Sequence, residues 1–230
     1  MKQVTILVPE HSVIQAIADP QYCFSAVNQF LQASGREPLF DIRLAGLQYD
    51  VSLNQGLYTV HTQVRLSEID RTDLILIPAL FGDLQQALDA NQAMIPWIQQ
   101  QYQQGAEIAS LCLGAFLLAQ TGLLQHQKCS THWGFMDEFR RYYPDVALQD
   151  GAIVTEANRI YTSGGAHSYW NLLLHLVEKY TDRDTAILCA KYFAIDMDRD
   201  SQSAFAMFKG QKDHGDVPIR QAQEFIEAHI

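Results

Sequence analysis

The five residues Ser110-Leu111-Cys112-Leu113-Gly114 carry the pattern that points most directly to chemistry in this chain. They follow the strand-like run Ala106-Glu-Ile-Ala-Ser110 and lead into Gly114 to Gln120, which has helical character and is closed by Gly122. A nucleophile between a strand and a helix sits on a sharp turn, a nucleophile elbow. That turn brings the residues two before and two after it together, so both must be small. Ser110 and Gly114 meet the requirement. The positive end of the following helix would stabilise a Cys112 thiolate, and the Leu113 amide would face an anion beside the sulfur. This reading expects Cys112 to be exposed on its turn. The alternative is a buried thiol that packs like a small hydrophobe, the default for all four cysteines.

His132, at a predicted helix start, is the candidate partner, since a Cys–His pair is the usual way to activate a thiol. Its plainer role is to cap that helix or pack beside Trp133. His11 and His167 either line the crevice at the strand ends or sit in solvated loops. His175, among Leu172 to Leu174, Leu176 and Val177, reads as a core histidine. Ser163-Gly164-Gly165 either holds an anion at a helix start or forms a plain turn. No metal-ligand cluster stands out, and no cofactor is expected.

The elements that would position these residues alternate. Val4 to Val8, Phe40 to Leu44 and Asp73 to Ile77 read as strands, the first and last buried on both faces. Leu57 to Val60 is a short extra one. A helix capped by Ser12 runs to Ser34 and stops at Gly35, with a kink or restart expected at Asp19-Pro20. Helical material follows from Asp83 to Gln104. Thr131 onward leads into a helix to Tyr142, and short strands lie near Ala152 to Thr155 and Arg159 to Thr162. Helices at His167 to Tyr180 and Asp182 to Ala194 complete the run. The fold class expected is α/β: a mostly parallel sheet flanked by helices on both faces, flavodoxin-like and amidotransferase-like.

Of the 230 residues, 48% are hydrophobic and 18% charged, which suits a chain with a sizeable core. The net charge of −10 argues against this chain itself gripping a phosphate backbone. No stretch approaches the roughly 20 apolar residues that span a bilayer. MKQVTILVPE reads as a first strand rather than a signal peptide, so a cytoplasmic location with no membrane partner is expected. The cysteines lie too far apart to suggest a disulfide framework or zinc site. Near Lys209 the composition turns polar, and Ile219 to Ile230 then reads as one amphipathic helix.

Several segments in order resemble the ThiJ/PfpI superfamily, related in fold to class I glutamine amidotransferases, and most closely the N-terminal domain of GlxA-type AraC-family transcriptional regulators. They are Ser110 to Ala119 with Thr121-Gly-Leu-Leu124, Ser130-Thr-His-Trp133, Tyr161-Thr-Ser-Gly-Gly165 with Leu174-His-Leu-Val177, and Arg199, Gln202 and Phe205. His214-Gly-Asp216 and Ala222 to Ile230 resemble the entry to an AraC helix-turn-helix domain. The resemblance implies a sensory domain over residues 1–208, then a linker and the first helix of a cut-off DNA-binding domain over 209–230. Catalytic relatives place a carboxylate after the first strand, where Gln15 stands here and cannot act as acid or base. Their Pro-Gly-Gly loop is replaced by Pro78-Ala79-Leu80, a tighter approach to the same site.

The function expected on these grounds is sensing of a small-molecule effector, of unknown identity, by a homodimer that reaches DNA through its helix-turn-helix domain rather than this chain. The effector would bind around Gln15, Ala79, Leu80, Cys112, Leu113, His132 and Gly164. The alternatives are a cysteine-dependent hydrolase or hydratase with Cys112 as nucleophile and His132 as base, and a redox sensor acting through oxidation of Cys112.

Overall fold

The computed structural model describes residues 1–197, 201–202 and 216–229. Arg199, Phe205 and the polar stretch from Lys209 to Gly215 lie outside these. In chain order the elements are β1 (Lys2–Leu7), α1 (Gln15–Ala33), β2 (Phe40–Gly46), β3 (Asp50–Leu53), β4 (Tyr58–His61), β5 (Val64–Arg65), β6 (Leu74–Ile77), α2 (Leu84–Ala90), α3 (Ile95–Gln103), β7 (Glu107–Ser110) and α4 (Gly114–Gln120). Then follow β8 (Lys128–Cys129), α5 (Met136–Tyr142), β9 (Ala147–Leu148), β10 (Val154–Ala157), β11 (Ile160–Ser163), α6 (Tyr169–Tyr180), α7 (Arg183–Phe193) and α8 (Val217–Ala228).

Seven strands form one sheet in the order β10-β11-β7-β6-β1-β2-β5. All neighbours run parallel except the edge strand β10, antiparallel to β11. The expected α/β architecture is therefore present. The central strands read as continuous apolar runs because helices cover both faces: Leu74 to Ile77 are wholly buried. Helices α1, α6 and α7 pack together on one side, while α4 lies against β6, β7 and α3.

Several local expectations change. Ser12 does not cap α1; its hydroxyl donates to Pro9 O (2.7 Å), and the helix starts three residues later with no side-chain cap. Pro20 does not restart α1, which runs unbroken from Gln15 to Ala33 without the backbone bond from position 20 to Ala16 O. The helical stretch after Asp83 is two helices, broken at Asn91, whose side chain turns inward to hold the Glu10 backbone. Tyr58–His61 pairs with Asp50–Leu53 as an antiparallel hairpin. Asn54-Gln55-Gly56 between two alternating runs is the signal for that hairpin. His175 is half-exposed rather than in the core, and its Nε2 lies 2.9 Å from Glu156.

Candidate functional site

Cys112 occupies the elbow the sequence expects. Its φ is +52°, the left-handed region that a non-glycine residue adopts only when its surroundings impose it. Three hydrogen bonds impose it here. Cys112 N–H donates to Ser163 O (3.1 Å), its carbonyl accepts from Thr131 Oγ1 (3.1 Å), and Leu111 N–H donates to Ile77 O (2.9 Å). The need for a small residue at Gly114 is equally concrete: a Cβ there would lie 2.6 Å from both Ile77 O and Pro78 O.

The expectation of an exposed, ionisable thiol is wrong. Cys112 is 4% exposed, and burial pushes its thiol up to about 12, only partly offset by the Leu113 amide. Desolvation disfavours the thiolate more than the helix terminus helps it. At neutral pH the sulfur is a protonated, weakly nucleophilic thiol.

His132 does not serve it as a base. Its Nδ1 accepts from Gly134 N–H (3.1 Å), and its ring lies against Trp133 and Phe135, with centroids 5.3 and 5.8 Å away. Among the described residues no hydrogen bond joins it to Cys112. Partial burial lowers its basicity further. The plainer reading, a cap packed beside Trp133, describes it.

Gln202 holds together the loops beside the elbow. This fully buried side chain accepts from Gly165 N–H (2.7 Å) and Trp133 N–H (3.3 Å) and donates to Ala152 O (2.9 Å) and Thr131 O (3.1 Å). It thereby ties the loop bearing His132 to the turn bearing Gly164. Gly164 is buried and its N–H donates to Ile153 O (2.8 Å), so it offers nothing to an anion. Ala79 and Leu80 are buried too, because the loop after β6 is zipped to the loop after β1. Val13 N–H donates to Ala79 O and Phe81 N–H to His11 O, both at 2.8 Å.

An open cavity lies nearer β1. Its volume of about 820 Å³ is bounded by Glu10 to Gln15, the segment from Phe81 to Asp83 with Gln86, and the hairpin tip from Ser52 to Gly56 with Tyr58. It stands at the carboxyl ends of β1 and β6, where the strand order reverses about β1, the place where open α/β sheets bind ligands. Of the residues expected to line a site, Gln15 alone is among its walls. Leu113 and the other five are not among its walls, and all of them but the half-exposed His132 are buried. His11 lines the cavity, one of the two places the sequence allows it, whereas the hairpin wall is not expected from the sequence.

The cavity combines apolar and aromatic wall (Val13, Ile14, Phe81, Tyr58) with amides and two carboxylates, Glu10 and Asp83. Asp83 already caps α2, accepting from Gln86 N–H at 2.9 Å. Such a lining can hold a small polar molecule and orient it. Among the described residues no group of three His, Cys, Asp or Glu side chains could hold a metal ion, and no helix is long and apolar enough to cross a membrane.

Comparison with known proteins agrees with this architecture. The HTH-type transcriptional regulator GbdR of Pseudomonas aeruginosa is 27% identical over 126 residues, 55% of this chain and 31% of that protein. Isonitrile hydratase of Pseudomonas putida is 28% identical over 123 residues, 50% of this chain and 49% of that protein. The chain thus spans less than half of each of these relatives. An AraC family transcriptional regulator from Pseudomonas putida superposes with a TM-score of 0.68 at 17% identity, covering 84% of this chain and 100% of that one, a likeness of fold. The DJ-1/PfpI family profile matches residues 36–179, well over half the chain, and with the elbow and sheet described above the chain belongs to the DJ-1/PfpI family.

Proposed function

We propose that this chain is the effector-sensing domain of an AraC-family, HTH-type transcriptional regulator, and that the cavity between β1, β6 and the β3–β4 hairpin is where the effector binds. The observation that carries the reading is the contrast between two neighbouring places: an elbow cysteine shut away without a base, and an open, mixed-polarity cavity beside it. Similarity to GbdR and to the AraC family regulator supports the assignment. Residues 1–208 would form the sensor and 209–230 the link and first helix of the DNA-binding part. Helix α8 fits that role: capped by Asp216, it exposes Ile219, Phe225 and Ile226, an apolar face suited to packing within a further domain. In a homodimer, an effector that binds one arrangement better would favour one spacing of the two DNA-binding domains.

The hydratase reading draws on the similarity to isonitrile hydratase, but it needs a thiolate and a base, and the elbow supplies neither. The test uses the regulator carrying this chain, with DNA affinity measured at fixed salt across a metabolite panel. An effector should change the affinity at least fivefold, and Phe81→Ala or Gln15→Ala should raise its half-saturating concentration. Affinity indifferent to every compound, or a response untouched by both substitutions, would count against the proposal.

A further inference from the structure

The elbow is not the only place where a thiol stands out. Cys23 on α1 and Cys189 on α7 face each other with their sulfurs 3.7 Å apart, both wholly buried. The two helices run antiparallel and are latched on either side of this pair. The hydroxyls of Tyr22 and Tyr192 lie 2.7 Å apart, and Arg36 meets Asp182 at 2.6 Å. The latches hold the two sulfurs in contact, so their approach does not depend on a chance rotamer.

We infer that Cys23 and Cys189, rather than Cys112, are the oxidant-responsive thiols of this chain, closing to a disulfide that staples α1 to α7. The oxidant is hydrogen peroxide. The Cys189 sulfur attacks one peroxide oxygen, the O–O bond breaks, and the departing oxygen leaves as water after taking a proton, which gives a sulfenic acid. The Cys23 sulfur then attacks the Cys189 sulfur, the S–O bond breaks, and the hydroxyl leaves as water with the Cys23 proton. Two thiols and one peroxide become one disulfide and two waters.

Three observations favour this pair. Only the second step distinguishes a disulfide from over-oxidation, and a sulfur already in contact makes it effectively intramolecular. The remaining move, from 3.7 Å to the roughly 2.05 Å of a disulfide, is within the play of two packed helices. The contact also shifts the two thiols in opposite directions: Cys23, buried and hydrogen-bonded to Cys189, is held protonated, while the same bond favours ionisation of Cys189. Cys112 and Cys129 are instead both pushed up to about 12 by burial. Because the pair is buried, peroxide reaches it only through local opening of the packing around the two sulfurs. The staple would fix α1, whose first residue lines the cavity, against the helix that leads toward the C-terminal segment.

The test is a peptide map. The 230-residue chain is treated with hydrogen peroxide, its remaining thiols are alkylated in denaturant, and the digest is read by mass spectrometry without reduction. The expected result is loss of two of the four thiols at least tenfold faster than loss of Cys112. A linked Cys23–Cys189 peptide two hydrogens lighter than its parts should appear, unchanged in Cys112→Ser and absent from Cys23→Ser. If Cys23→Ser fails to fold, the wild-type map decides alone. Sulfinic acid at Cys112 with Cys23 and Cys189 still alkylated, or no thiol lost in excess peroxide, overturns the inference.

Discussion

The amide of Gln202 fills the space a side chain on Gly164 would need: a Cβ there would stand 1.8 Å from Gln202 Nε2. The two residues are thus fitted to each other, and their fit braces the loops beside the elbow. Replacing Gln202 by Ala would orphan the Gly165 N–H and the Thr131 carbonyl, while Ala152 O keeps its bond from Ser130 Oγ. A cost of about 2–4 kcal/mol follows, at about 1 kcal/mol or more for each buried group left unpaired. Urea unfolding measures the cost. Alkylation of native Cys112 should also become several-fold faster, and an unchanged rate would show that something other than Gln202 shuts the site.

Burial of two thiols predicts a loss of stability in alkali. Cys112 and Cys129 are both held near 12, whereas an unfolded thiol ionises near about 8.5. Both forms are neutral below that pH, so the stabilisation is fully present there. Above it the unfolded chain loses protons that the folded chain keeps, and stability falls until the pH passes about 12. Each thiol steepens the fall by about 1 kcal/mol per pH unit. Tyrosines and lysines titrate in the same range, so the readout is a difference: Cys112→Ala should show a shallower decline between pH 8 and 10.5. Parallel curves for the two proteins would refute the burial argument.

The sequence made the elbow legible down to its small neighbours, because that constraint is local: five residues on one turn. Exposure was not legible, because it depends on distant segments, among them Ser163 and Thr131, that fold over the turn. The same distinction explains the cavity. Gln15 is placed after the first strand by the family resemblance, but the opposite wall is a hairpin whose approach to it is a tertiary contact that no local pattern encodes. Asn91 likewise looked like one more residue in a long helix, and only its contact with Glu10 explains the break there.

His132 should prove irrelevant to the thiol. Its ring caps Gly134 and packs on Trp133, so His132→Ala should cost about 1 kcal/mol of stability through the lost hydrogen bond. The alkylation rate of Cys112 between pH 6 and 9 should stay within twofold of wild type. A tenfold fall, or loss of an inflection near the ordinary histidine range, would restore the Cys–His pair and with it the hydratase reading.

The strongest leverage on the cavity comes from a residue outside it. Asn91 is wholly buried: its Oδ1 accepts from Glu10 N–H (2.9 Å), and its Nδ2 donates to Glu10 O (2.9 Å) and Ala87 O (2.7 Å). This clamp fixes the turn in which His11 takes φ +63° and presents its carbonyl to Phe81 N–H. Asn91→Ala leaves one buried and two part-buried backbone groups without this partner and should cost about 1–3 kcal/mol. Asn91→Asp should cost more, since it keeps the acceptor, loses both donors and buries a charge. The specific consequence is at the cavity rim. With the His11 turn loosened, the Phe81 amide should exchange hydrogen at least tenfold faster, while amides of β6 two turns of chain away keep their protection. Equal acceleration throughout would mean Asn91 serves the fold generally. Acceleration confined to the rim would identify the clamp as the support on which this wall of the effector cavity rests.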